Sequence, residues 1–363
     1  MFKFIYSFGF VFDWLYKFLY YYNSFDRHLS YNIFKSKFVK KEDLFDGLKN
    51  DMFSSSFTLV TNTTNICNAK CSFCAYPKAM NEKSLETGTM SMEIFKKSVD
   101  EYSSAGGKSI DFTPVVGDPL VDKFLFERIE YVVKNTDIKD IHLTTNGILL
   151  NKNDNYRKLI ESGVTNIYIS TQGTDSEQYK LVYGVDNYEQ VLHGLTNLLF
   201  FNKFKNYPAK IIIRFRNSQK PSEILKSSDF KKYIKPHLCK NILVNFTVDF
   251  DNWGGAVKQK DMHGNMKLRK LPKKNINFPC QSLFTLSIRH DGRVRACGCR
   301  FIKNDTDDLI IGNIKNNTIK QLSNNQELKD KINGFYNNKR PETCVNCTFY
   351  LPITKKWYKI RKQ

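Results

Sequence analysis

The stretch NICNAKCSFCAYP, residues 65–77, places Cys67, Cys71 and Cys74 within eight positions. A [4Fe–4S] cluster usually takes four cysteine ligands, so the spacing C-x3-C-x2-C supplies one ligand too few. A missing ligand leaves one iron open to a small molecule, as in catalytic rather than structural metal sites. The alternatives are a structural zinc site or free thiols, but zinc prefers four ligands and the loop contains no histidine. The spacing therefore favours an open iron–sulfur site.

The sequence around this loop alternates between strand-like and helix-like patterns from residue 57 to residue 250. The predicted strands are 57–63, 108–115, 140–147, 166–173, 210–217 and 241–250. The predicted helices are 91–107, 120–135, 156–163, 188–203 and 228–238. Such alternation predicts an α/β fold with a parallel sheet. Right-handed crossovers curl the sheet into a partial (β/α)6 TIM-like barrel, with active residues at the carboxyl ends of its strands.

Four motifs at the ends of predicted strands resemble those of the radical SAM superfamily. They are CNAKCSFC (67–74), VVGDPL (115–120), TTNG (144–147) and YISTQG (168–173). Together they cover roughly residues 55–250. Asp118 stands where glutamate is commoner in the family, and Val116 replaces a usual glycine.

The resemblance implies that S-adenosylmethionine (SAM) chelates the open iron of a [4Fe–4S] cluster. One electron, from an external flavodoxin-type or ferredoxin-type donor, then cleaves a C–S bond, and the 5′-deoxyadenosyl radical takes a hydrogen atom from substrate. The chemistry belongs to the cofactor, and the protein supplies placement and exclusion of water. The resemblance implies these candidate cofactor-binding residues: Phe73, Gly117, Asp118, Pro119, Asn146, Ser170, Thr171 and Arg214. Arg216 is a second candidate for the SAM carboxylate and also joins the catalytic candidates.

The tail of the chain carries a second group of cysteines. FPCQSLFTLSIRHDGRVRACGCRF (278–301) and PETCVNCTF (341–349) contain Cys280, Cys297, Cys299, Cys344 and Cys347. Asp291-Gly292 predicts a hairpin turn that folds the strand before Cys297 back along the chain. Five thiols for four ligand positions predict one further site with one thiol spare, and a structural zinc ribbon is the alternative to a cluster.

This tail resembles the SPASM/Twitch region of many radical SAM enzymes. The longer SPASM pattern needs about seven cysteines for two clusters, so the resemblance implies the shorter Twitch form with one auxiliary [4Fe–4S] cluster. The implied ligands are Cys280, Cys297, Cys344 and Cys347. Cys299 is the rival of Cys297, or else a spare thiol that donates a hydrogen atom to a substrate radical.

Three domains are predicted: an aromatic-rich helical extension over 1–50, a radical SAM core over 55–255 and an auxiliary-cluster domain over 256–363. In the extension, aromatic and aliphatic residues recur at helical spacing. This pattern predicts a helix that lies on a membrane surface or packs on its own core. The run between Lys3 and Asp13 is too short to span a bilayer.

The cysteine clustering and the net charge indicate the cellular compartment and the class of binding partner. Nine cysteines in tight clusters predict metal in a reducing compartment, hence a cytoplasmic protein with peripheral membrane contact as an option. The formal net charge of +20 fits an acidic substrate, a membrane surface or nucleic acid, although the basic residues are spread throughout. No DNA partner is expected, and no RNA-binding motif is present.

The end of the sixth predicted strand and the residues after it supply candidates for contact with substrate. Asp249 and Asp251 are candidate proton acceptors from a sugar hydroxyl, and the Trp253 face can stack on a sugar ring or anchor a turn. The predicted function is a radical SAM oxidoreductase or epimerase that modifies a sugar or glycoconjugate. The alternatives are a peptide or protein maturase, an RNA-modifying enzyme and a non-catalytic zinc or iron–sulfur protein.

Overall fold

The structure is a computed structural model, and the residues it describes are 40–49, 58–173, 175–247, 249–270, 277–298 and 307–355. Most of the predicted N-terminal extension and Cys299 lie outside these residues, so the predictions made for them stay predictions. Within the described part of the chain, no helix is both long and apolar enough to cross a membrane.

The strands are β1 (Thr58–Thr61), β2 (Ser109–Asp111), β3 (Asp140–Thr145), β4 (Asn166–Thr171), β5 (Lys210–Arg216), β6 (Ile242–Thr247), β7 (Asp249–Phe250), β8 (Lys267–Leu268), β9 (Thr285–Ile288), β10 (Arg293–Arg295) and β11 (Ile310–Asn313). The α-helices are α1 (Lys41–Lys49), α2 (Tyr76–Asn81), α3 (Met92–Ser104), α4 (Leu125–Asn135), α5 (Asn155–Glu161), α6 (Ser176–Tyr183), α7 (Tyr188–Phe204), α8 (Pro221–Lys226), α9 (Ile319–Leu322), α10 (Gln326–Tyr336) and α11 (Glu342–Val345).

One sheet joins the two predicted cluster-binding domains. Strands β1 to β6 pair in parallel in chain order, which confirms the partial barrel. At the other edge of β1, β9 pairs in parallel, with Leu59 opposite Leu286. The antiparallel strands β10 and β11 continue from there, and the predicted hairpin turn lies between β9 and β10. The tail therefore extends the barrel sheet and is held directly against its first strand.

Burial alternates along the central strands because successive side chains point to opposite faces of a sheet. In β5, Ile211, Ile213 and Phe215 are fully buried in the core between the sheet and its helices. Arg214 and Arg216 lie on the opposite, half-buried face. That face is the inside of the open barrel, and it is the polar side.

Several elements differ from the sequence prediction. The helix expected from residue 120 begins at Leu125, because Pro119 opens a short 3-10 turn first. The strand expected over 241–250 ends at Thr247, and Asp249 pairs instead with Lys267 in a separate two-stranded sheet. The helix expected over 228–238 is a π-helical turn followed by a 3-10 turn. Short helices such as α2 and α6 were not predicted, since few residues carry their pattern.

Candidate iron–sulfur sites

The first cysteine loop, residues 65–77, follows β1 at the carboxyl end of the barrel. Lys70 N donates to Tyr183 O at 2.9 Å, and Ser72 N donates to Val182 O at 2.9 Å, so the loop lies along the end of α6. Gly184, with φ +66°, allows this approach, because a Cβ there would lie 2.6 Å from Lys70 O. The position of the loop is therefore fixed by backbone contacts.

The three thiols of this loop lie close enough to influence each other electrostatically. Burial raises the pKa of Cys67 to about 12, and Asp118 and the Cys74 thiolate add to this effect. Burial, followed by the Cys74 and Cys67 thiolates, raises the pKa of Cys71, while Arg216 opposes the shift. Burial also raises the pKa of Cys74 to about 11. Bound iron relieves this mutual repulsion because it stabilises thiolates, so the donor set fits an iron–sulfur cluster.

The Gly-Asp-Pro segment packs against the loop. Asp118 N donates to Ile66 O at 3.0 Å. Gly117 has φ +123°, and a Cβ on it would lie 3.1 Å from the backbone of Asn65. Only glycine suits both the conformation and the contact. The segment is thus held at the cysteine loop, as the resemblance implies, with Pro119 buried behind it.

The Asp118 carboxylate is engaged by the protein itself. It accepts from Thr145 Oγ1 at 2.9 Å, from Asn146 N at 2.7 Å and from Leu120 N at 3.0 Å. Burial raises the pKa of Asp118 to about 6 despite these bonds. Asp118 therefore ties the Gly-Asp-Pro segment to the end of β3. A direct contact with SAM, expected for its position, would compete with these donors.

Asn146 lies beside the first thiol. Its Nδ2 donates to Asn68 Oδ1 at 2.7 Å and lies 3.9 Å from Cys67 Sγ. Its Oδ1 accepts from Ile148 N at 2.9 Å. The end of β3 is therefore held to the cysteine loop through Asn146.

The interior face of β4 and β5 brings further predicted residues toward the loop. Arg216 Nε donates to Ser170 Oγ at 3.3 Å, and its guanidinium lies 6.0 Å from the centre of the Phe73 ring. Arg214 stacks on Tyr168, with 3.8 Å between guanidinium carbon and ring centre. Ser170, Arg214 and Arg216 thus share one face.

Thr171 and Asp249 lie apart from this face. The Thr171 side chain is buried on the opposite side of β4, and its hydroxyl donates to Gln172 O at 3.2 Å. Asp249 forms an ion pair with Arg269, with 3.0 Å between Oδ2 and Nε. Asp251 lies nearer the loop, since its carboxylate contributes to the raised pKa of Cys74.

Four of the tail cysteines line one cavity, together with Leu283, Leu309 and Tyr350: Cys280, Cys297, Cys344 and Cys347. They come from three separated segments of the chain. Burial and the Cys297 thiolate raise the pKa of Cys280 to about 11. Burial raises the pKa of Cys344, as do the thiolates of the other three. We call this group the tail cysteine site; its four sulfur donors suit a closed iron–sulfur cluster site.

An ion pair supports this site from behind. Arg295 Nε lies 2.6 Å from Asp307 Oδ2, and both side chains are almost fully buried. Arg295 Nη1 also donates to Cys297 O at 2.8 Å. Sequence reasoning did not select Arg295, although it lies two residues before Cys297 at the end of the hairpin.

Among the described His, Cys, Asp and Glu side chains, no three converge as ligands of a single metal ion.

Two regions of the chain match models of known protein families. Residues 280–348 match an iron-sulfur cluster-binding domain, known as SPASM, and residues 61–199 match the radical SAM superfamily. The chain therefore carries a radical SAM domain and a C-terminal SPASM domain. These domains imply a SAM-binding [4Fe–4S] cluster and an auxiliary iron–sulfur cluster.

Relatives in sequence match only part of the chain. A probable GTP 3′,8-cyclase of Methanococcus maripaludis is 36% identical over 129 residues, which are 36% of this chain and 41% of that protein. The GTP 3′,8-cyclase of Pasteurella multocida is 27% identical over 38% of this chain and 40% of its own length. The match thus spans about two fifths of the length of these curated relatives.

Solved structures share the fold over more of the chain. BtrN in complex with AdoMet and 2-DOIA has 16% identity and a TM-score of 0.51, covering 80% of this chain and 92% of BtrN. Native anSMEcpe with bound AdoMet has 18% identity and a TM-score of 0.52, covering 76% of this chain and 82% of anSMEcpe. At such identities the likeness shows the fold alone.

Proposed function

We propose that this protein is an enzyme that cleaves SAM reductively at a cluster held by Cys67, Cys71 and Cys74. Bound there, the cluster would supply one-electron chemistry: an electron from an external donor would cleave SAM into methionine and a 5′-deoxyadenosyl radical. That radical would take a hydrogen atom from substrate. The observation that carries the proposal is the position of this three-thiol loop, which opens onto the polar inner face of the barrel.

The residues around the loop have separate tasks in this proposal. The two arginines of β5, Arg214 and Arg216, lie on the inner face and suit a carboxylate group. Asp118 and Asn146 hold the Gly-Asp-Pro segment and the end of β3 against the loop. Phe73, whose ring centre lies 5.2 Å from that of Phe250 and 5.7 Å from that of Tyr183, helps to exclude water from the loop.

The tail cysteine site holds the auxiliary cluster in this proposal, through Cys280, Cys297, Cys344 and Cys347. Four sulfur donors leave no open position, so we assign the site a part in electron transfer or in substrate placement. An auxiliary cluster held there would supply an acceptor for the electron left on a substrate radical, and the net reaction would then be an oxidation.

For the substrate, we favour a small anionic molecule of the sugar or nucleotide class. The net charge of +20 and the interior arginines favour an anion. Part of the chain matches proteins named GTP 3′,8-cyclase, and BtrN was solved with 2-DOIA. A ribosomal peptide is the second candidate, because SuiB of Streptococcus suis, solved bound to precursor peptide SuiA, shares the fold at a TM-score of 0.51.

The test is anaerobic reconstitution followed by a substrate panel. The protein should bind about eight irons and eight sulfides, and with dithionite and SAM it should release 5′-deoxyadenosine. Deuterated nucleotide sugars, GTP and a peptide pool are then compared for deuterium transfer to 5′-deoxyadenosine. Transfer from one class identifies the substrate class. A protein that binds both clusters and forms no 5′-deoxyadenosine contradicts the proposed function.

A further inference from the structure

The linker turn, residues 251–255, lies between the first cysteine loop and the tail cysteine site and is bonded to both. On one side, Trp253 Nε1 donates to Phe73 O at 2.8 Å, inside the loop and one residue before Cys74. On the other side, Asn252 Nδ2 donates to Asn346 O at 2.7 Å, one residue before Cys347. Two consecutive side chains thus connect the two groups of thiols.

The contact with the tail is reciprocal. Asn252 N donates to Thr348 Oγ1 at 2.9 Å, while Thr348 N donates to Asn252 Oδ1 at 3.3 Å. Asn346 and Thr348 flank Cys347 on both sides. Asn252 therefore holds the backbone of the segment that carries this cysteine.

The backbone of the turn has an unusual conformation, with positive φ at three consecutive residues. Trp253 has φ +50°, followed by Gly254 at +67° and Gly255 at +102°. A bulky residue at positive φ is a rare, strained conformation that persists where its surroundings impose it. Trp253 N donates to Asp251 Oδ1 at 2.9 Å, which helps to hold the conformation.

We propose that Asn252 and Trp253 are positioning residues that couple the two sites, so that the state of the tail cysteine site adjusts the first cysteine loop and its affinity for SAM. This inference rests on the proposed function. In this inference Trp253 anchors the turn rather than stacking on a sugar ring. Its indole N–H is bonded to Phe73 O, and the neighbouring residues Asp251 and Asn252 are also hydrogen-bonded.

The test is a double-mutant cycle on SAM affinity in the reconstituted protein. Cys347→Ala disturbs the tail site, and Trp253→Phe removes the indole N–H while it keeps a ring. Each change alone should weaken SAM binding about two- to tenfold, the range that one hydrogen bond is worth. In the double variant Cys347→Ala should have little further effect, because the connection is already broken.

A matched control uses a second contact of the cysteine-loop region, made just after the linker turn. Lys78 Nζ, from α2 after the cysteine loop, donates to Ala256 O at 2.8 Å and pairs with Asp261. The Lys78 contacts do not involve the tail, so the effects of Lys78→Met and Cys347→Ala on the free energy of SAM binding should add. Additivity of Trp253→Phe with Cys347→Ala would overturn the coupling.

Spectroscopy separates this inference from the proposed function. The reduced first cluster should give an electron paramagnetic resonance signal that shifts with SAM, and in Asn252→Ala more SAM should be needed for the same shift, at unchanged iron content. An unchanged requirement for SAM refutes the coupling alone. A wild-type signal that never responds to SAM refutes the proposed function as well.

Discussion

The two cysteine sites are built in opposite ways. The first takes three thiols from eight consecutive residues of one loop, whereas the tail cysteine site collects four thiols from segments up to 67 residues apart (280 to 347). The first lies at the end of a parallel strand and faces the open barrel, and the second is enclosed by apolar side chains. Residues of one short loop bring the three thiols of the first site together, while the tail cysteine site depends on tertiary packing.

Removal of the first loop's thiols should have the largest effect on SAM cleavage. Replacing Cys67, Cys71 and Cys74 with Ala should abolish 5′-deoxyadenosine formation, since no other described thiol reaches that loop. The iron content should fall by about half, to about four per chain. Iron analysis and chromatography of the SAM products measure both effects. Undiminished 5′-deoxyadenosine would contradict the assignment.

Removal of the tail thiols should have a different result. Cys344→Ala together with Cys347→Ala should also halve the iron content but leave measurable SAM cleavage, because the first loop is intact. The matched control is Cys239→Ala, since Cys239 packs partly buried against the core and lies outside both sites. Complete loss of SAM cleavage with the first cluster still bound would contradict the separate roles of the two sites.

A smaller effect is expected at Gly117. Gly117→Ala forces a side chain onto φ +123° and against the Asn65 backbone at 3.1 Å, which should lower the free energy of unfolding by about 1–3 kcal/mol. Gly255→Ala is the control: it has φ +102° but nothing within 4 Å of the added Cβ. Urea unfolding measures both. An equal loss would show that strain alone, without the contact, sets the cost.

The subtlest effect concerns the electrostatics of the tail cysteine site. Arg295→Gln removes a buried positive charge beside Cys297, so the reduced cluster loses stabilisation and its potential becomes more negative. Arg295→Lys keeps the charge and should shift the potential less. Arg293→Gln, whose guanidinium pairs with Asp291 at 2.7 Å, is the control. A redox titration followed by electron paramagnetic resonance tests this; equal potentials in all variants would refute it.

The sequence predicted the barrel and the first loop because both are local patterns. Six alternating strands and a short cysteine motif are visible without knowledge of contacts. The pairing of β1 with β9 was not visible, since strands more than 200 residues apart leave no periodic signal. For the same reason Asn252 and Arg295 were missed as supports of the two sites, although Trp253 and Cys297 beside them were noted.

Side-chain direction was the other missing element. The motif YISTQG (168–173) supplied Ser170 and Thr171 together, but neighbouring residues of a strand face opposite sides. Only Ser170 lies on the inner face, with Arg216. Asp249 belongs to a separate small sheet, where its carboxylate is paired with Arg269. Strand phase and pairing, which depend on the whole sheet, decide which of the predicted residues meet.

The most direct test of the account is the response of the two reduced clusters to SAM. Electron paramagnetic resonance spectra of the dithionite-reduced protein are recorded with and without SAM, for wild type, for the Cys67/Cys71/Cys74→Ala variant and for the Cys344/Cys347→Ala variant. We predict that SAM shifts a signal that the tail variant retains and the first-loop variant lacks. A SAM-dependent shift in the first-loop variant would contradict the account.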